Sequence, residues 1–128
     1  MKPPTDKQFS KLIGQALDEL PERYIKGLSN VVITYADEPS VEQRKKQNLQ
    51  PSQLLLGLYE GIPLTQRGAG YNLVLPDKIT LFKKPLLQLS ADEDSFYKKI
   101  KHTLWHEIAH FYGLNHARIH SLEDKAKK

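Results

Sequence analysis

The sequence contains no cysteine, one methionine and one tryptophan in 128 residues. Without cysteine, disulfide staples and thiolate metal sites are both excluded. A cysteine-free chain is compatible with a reducing compartment. No apolar run approaches the roughly 18 residues needed to cross a bilayer. The opening Met1-Lys2-Pro3-Pro4-Thr5-Asp6-Lys7-Gln8 leads into no apolar signal segment. These absences give the expectation of a soluble, cytoplasmic protein with no membrane partner. Internal repeats and low-complexity linkers are missing as well. One domain over residues 1–128 is therefore expected, large enough to bury a core without staples.

The net charge is +4, which raises the question of an acidic partner or nucleic acid. The basic residues are spread over Arg44-Lys45-Lys46, Lys83-Lys84, Lys98-Lys99, Lys101 and Lys125, Lys127, Lys128. No run interleaves them with aromatics, as a single-strand binder would. This argues against nucleic acid, whose sign would be salt-dependent binding. The expectation is a monomer.

Along the chain, Thr5-Asp6 can cap a helix in which Phe9, Leu12, Ile13, Ala16, Leu17 and Leu20 recur at helical spacing. Pro21 ends it, and 22–28 reads as a second short helix. Val31 to Tyr35 is a β-branched and aromatic strand signal. Val41 to Ser52 is polar, a loop or short helix. Leu54 to Tyr59 reads as a second strand, with 62–65 able to pair with it. Arg67-Gly68-Ala69-Gly70 is a glycine loop. Lys78 to Phe82 reads as a third strand, stopped by Lys83-Lys84-Pro85, with a short turn or helical piece at 86–89. Ser90 and Glu93 suggest a capping box for the next helix. Gly113 is placed to stop that helix, and a final helix is expected near Ala117 to Lys125.

Within the capped helix stands His106-Glu107-Ile108-Ala109-His110-Phe111-Tyr112-Gly113-Leu114-Asn115-His116. The pattern is H-E-x-x-H-x-x-G-x-x-H. His106 and His110 lie one turn apart on the same helix face, so both imidazoles can reach one metal ion. Glu107 sits about 100° round the axis. From there it can take a proton from a water without ligating the metal. Gly113 permits a sharp turn that brings His116 back as third ligand. Three protein ligands leave one position open, the catalytic arrangement. His102, Thr103, His110 and Gly113 are expected on the side of His106. Tyr97, Ile100, Leu104, Ile108 and Phe111 are expected on the opposite, apolar side. His120, one turn after His116, is a rival third ligand; Glu123 and Asp124 are acidic candidates close by in sequence. His102 reads as exposed or supporting.

The extended motif resembles that of the metzincin metalloproteases. Those carry a methionine turn below the metal, whereas the only methionine here is Met1. A closer resemblance is to the short bacterial zincin-like metallopeptidases, sometimes called minimal zincins. It runs through Ala16-Leu17-Asp18-Glu19-Leu20-Pro21, Asp37-Glu38-Pro39, Leu56-Gly57-Leu58-Tyr59, Pro63 to Gly68, Leu75 to Phe82 and the motif. The resemblance implies an α+β fold, a small mixed sheet packed against helices, with the motif on a long C-terminal helix. It also implies zinc at His106, His110 and position 116. That position is usually aspartate in the family and is histidine here, an equally good zinc ligand.

The expected function is zinc-dependent peptide hydrolysis with Glu107 as general base. An exposed strand edge, from Leu55–Tyr59 or Ile79–Phe82, could hold an extended peptide. Tyr59, Arg67 and Tyr71 are candidates for stabilising the oxyanion. The alternative is a zinc-binding interaction or regulatory module with little turnover, since fold does not guarantee activity. An imidazole site also suits nickel, cobalt or copper.

Overall fold

Thr5 opens the first helix, α1, which spans Asp6–Glu19. Its hydroxyl accepts from the Gln8 amide while the Gln8 side chain accepts from the Thr5 amide. Two amides that the first turn leaves over are thereby satisfied. This computed structural model describes residues 1–63 and 76–114. Phe9, Ile13 and Ala16 form the buried stripe of α1, as the spacing predicts. Pro21 separates it from α2, Glu22–Lys26. Strand β1 follows over Val31–Ala36.

The ambiguous polar stretch contains a helix, α3, at Val41–Lys46, capped by Ser40 and Gln43. Beyond it, Arg44 donates from Nη2 to the carbonyls of Gln50 at 2.8 Å and Gln53 at 3.2 Å. That clamp holds residues 50–53 in a turn. The second strand, expected from Leu54, therefore starts later: β2 spans Gly57–Glu60. Ile62 and Pro63 form no strand. The remainder of the expected hairpin partner, and the glycine loop at 67–70, lie outside the described residues. Strand β3 covers Asp77–Phe82.

The sheet order is β1-β3-β2. β3 runs parallel to β1, from Val31↔Asp77 to Ala36↔Phe82. It runs antiparallel to β2, from Gly57↔Leu81 to Glu60↔Lys78. The mixed sheet packed on helices is the α+β fold expected.

Two boundaries differ from expectation. Lys83-Lys84-Pro85 ends β3 as expected, but it is already the first turn of a helix, α4, Lys83–Gln88, which starts before the piece expected at 86–89. Proline is tolerated in a first helical turn, where its missing amide would have no partner anyway. The motif helix α5 spans Glu93–Phe111 and is capped by Asp92 with Ser95, not by Ser90 with Glu93. The Ser90 hydroxyl instead donates to the Leu86 carbonyl at 2.7 Å and finishes α4. The expected helix at 117–125 lies outside the described residues.

The core lies between one sheet face and helices α1, α4 and α5. Ile79 and Leu81 of β3 meet Phe9 and Ile13 of α1, Leu86 of α4, and Phe96, Ile100, Leu104 and Ile108 of α5. Each fully buried side chain of this size contributes about 1.5–3 kcal/mol. Burial of this stripe fixes the rotation of α5 about its axis, and so fixes where its histidines point. Among the described residues no helix is long and apolar enough to cross a membrane.

Candidate metal centre

Helix α5 is buried on most of its circumference in its C-terminal half. Thr103, Leu104, Trp105, Glu107, Ile108, Ala109 and Phe111 are all buried. Between them runs a stripe of His102, His106, His110 and Gly113 that stays partly or fully exposed. Spacing alone puts Thr103 on this side as well. It is buried because Gly57 of β2 approaches it: a Cβ at Gly57 would stand 2.6 Å from Thr103 Cγ2. A strand without a side chain at that point lies flat on the helix.

The two motif histidines converge. His106 Nε2 and His110 Nε2 are 3.1 Å apart, with ring centroids at 4.7 Å and planes tilted by 48°. Two imidazoles on a tetrahedral zinc, each about 2.0–2.1 Å from it, stand about 3.3 Å from one another. The pair fits that requirement as it stands. His102 stacks on His106 at a centroid distance of 6.5 Å and is exposed.

Glu107 is 7% exposed. Burial pushes its carboxyl up to about 7, against the opposing pull of a hydrogen bond from the Tyr59 amide. That amide donates to Oε1 at 3.0 Å, and His110 Nδ1 lies 3.9 Å from the same oxygen. A carboxyl poised near neutral pH beside two convergent imidazoles is suited to accept a proton and return it.

The helix ends as the sequence predicts. Gly113 has a φ of 74°. Its amide donates to the His110 carbonyl at 2.9 Å, and the Leu114 amide donates to the Ala109 carbonyl at 3.1 Å. This is the Schellman arrangement, with glycine in the left-handed position. The chain turns there on the same stripe that carries the histidines.

The third expected ligand, His116, lies outside the described residues, as do Arg67, Tyr71, His120, Glu123 and Asp124. Among the described residues no group of three metal-binding side chains forms. What the described part brings together is His106, His110 and Glu107.

Two residues of the site carry no sequence signal for the part they play. Tyr59 is a candidate through its hydroxyl, yet its backbone amide is what meets Glu107. Its hydroxyl donates to Asp77 Oδ2 at 2.6 Å. Asp77, 3% exposed, stands in the sequence just before the strand expected at 78–82 and carries no functional pattern. An amide is present at every position except proline, so residue type could not reveal it.

The zincin-like metallopeptidase family matches residues 28–126, a span that includes the sheet, the motif helix and the segment after it. Among solved structures, a conserved hypothetical protein from Thermo thermophilus is similar over 94% of this chain and 99% of its own, at 21% identity and a TM-score of 0.56. That likeness concerns the fold. A search of curated proteins returns no match. With most of its length matched, motif helix included, the chain belongs to the zincin-like metallopeptidase family.

Proposed function

We propose that the protein is a zinc-dependent metallopeptidase in which His106, His110 and His116 hold the metal and Glu107 is the general base. The observation that carries this reading is the convergence of two imidazole nitrogens to 3.1 Å beside a buried carboxyl. When bound, zinc supplies Lewis acidity for the scissile carbonyl and for water. Glu107 accepts the proton of the attacking water and passes it to the leaving amine. The substrate is an extended peptide.

The sheet topology limits where such a peptide can lie. β3 is central, with β1 and β2 on either side, so of the two candidate edges Ile79–Phe82 is ruled out. β2 is an edge strand among the described residues. Its Tyr59 amide is already engaged by Glu107, which leaves the stretch around Gly57 for strand addition.

The burial of Glu107 favours an enzyme over a binding module. A closed metal site needs no acid there, and a carboxyl that burial makes harder to ionise weakens the fold at neutral pH.

Elemental analysis of untagged protein tests the metal. About one zinc per chain is expected in wild type, with loss or weakening in His106→Ala and in His116→Ala. A peptide-library screen follows, with Glu107→Gln retaining zinc and losing turnover. No metal in the wild type, even after zinc is added, would sink the proposal. Cleavage undiminished in Glu107→Gln would remove the base from it.

A further inference from the structure

The base of this site is held from the sheet. Leu56 accepts from the Phe82 amide at 3.0 Å, and Leu58 and Glu60 stand opposite Thr80 and Lys78. Bonded and non-bonded pairs alternate in an antiparallel ladder. Leu58 and Glu60 therefore face β3, and the Tyr59 amide points outward to the edge. There it donates to Glu107 Oε1 at 3.0 Å.

An outward amide on a four-residue strand, at the sheet edge among the described residues, is by itself a loose anchor. The Tyr59 side chain stiffens it. Its hydroxyl donates to Asp77 Oδ2 at 2.6 Å. Its ring meets Phe111 edge-on at 6.2 Å, one helical turn beyond Glu107. Asp77 is itself fixed, since its amide donates to the Asn30 carbonyl at 2.9 Å. Gly61 closes against its carboxyl so tightly that a Cβ there would overlap it. Helix, edge strand and central strand thus meet at one tyrosine.

We propose that Asp77 and Tyr59 are positioning residues that hold Glu107 in place through the Tyr59 amide, a role that rests on Glu107 being the base. Removing the bond from the Tyr59 hydroxyl to Asp77 frees the end of β2 to move relative to α5, while the ladder bonds at Leu58 and Glu60 remain.

The test is residue-resolved amide exchange by NMR on the full chain, in wild type, Tyr59→Phe and Asp77→Asn. The amide at position 59 is expected to exchange about tenfold faster in both variants, with positions 58 and 60 unchanged. On any peptide that the wild type cleaves, kcat falls in both variants and KM holds. Unchanged exchange at 59 overturns the proposal. A parallel rise at 58, 59 and 60 overturns it too, because the strand then frays as a whole. Exchange that behaves as expected in a protein without turnover supports the brace and refutes the peptidase reading instead.

Discussion

Replacing Glu107 by glutamine should stabilise the metal-free protein, and more so as the pH rises. The carboxyl has its pKa raised by burial from an ordinary 4.5 to about 7. The folded state therefore keeps a proton that the unfolded chain has released. Its contribution is complete below pH 4.5, is lost as pH rises through 7, and then levels off. The gap between the two values corresponds to about 3 kcal/mol. Glutamine is isosteric, stays neutral, and still accepts from the Tyr59 amide, so the variant lacks the penalty. The assay is urea unfolding of chelator-treated protein, followed by the fluorescence of Trp105, the single tryptophan, buried at 3% exposure. From about pH 5 to pH 8 the stability difference should move by about 2–3 kcal/mol in favour of Glu107→Gln. Other titrating groups are common to both proteins and cancel in the difference. A difference that stays flat over this range would refute the reasoning and leave Glu107 an ordinary solvated acid.

Gly57→Ala should cost about 1–3 kcal/mol by overpacking, because its Cβ would stand 2.6 Å from Thr103 Cγ2 and 3.1 Å from Leu81 Cδ2. An unchanged melting temperature would show that strand and helix do not meet this closely. Gly113→Ala should cost about 1–2 kcal/mol, since a φ of 74° is unfavourable for a residue with a Cβ. Gly113→Asn should cost less, as asparagine tolerates that region; equal losses in the two thermal melts would count against the left-handed turn.

The helices and strands with strong patterns were legible in the sequence. Phe9, Ile13 and Ala16 announce α1, and the β-branched runs at 31–35 and 78–82 announce the outer parallel strand and the central one. The motif spacing locates His106, Glu107 and His110 on one helix, and they come together. Boundaries were harder wherever two local signals competed. Ser90-x-x-Glu93 and Asp92-x-x-Ser95 both resemble caps, and the second prevails because the Ser90 hydroxyl is taken by α4. β2 is shortened by a clamp from Arg44 to the carbonyls of Gln50 and Gln53, a side-chain-to-backbone contact that hydrophobic patterning does not announce. Thr103 follows helical geometry but not burial, because a glycine 46 positions earlier admits a strand over it. The Tyr59 contact with Glu107 was invisible for a related reason: a main-chain amide donates to a side-chain carboxyl 48 residues away.

The position of β3 has a consequence for how the chain comes together. β1 and β2 precede it in sequence, yet among the described residues each makes its ladder only with β3. Until residues 77–82 have been synthesised, both earlier strands have bare edges and neither has its partner. The parallel pairing also closes 46 residues, from Val31 to Asp77, a non-local contact of the kind that slows folding. The helix with the histidines comes later still, and docks on a sheet that must already exist to receive it. During synthesis the nascent chain therefore exposes two strand edges before the helix that covers the sheet exists, which makes that interval its point of greatest exposure to mispairing with other chains.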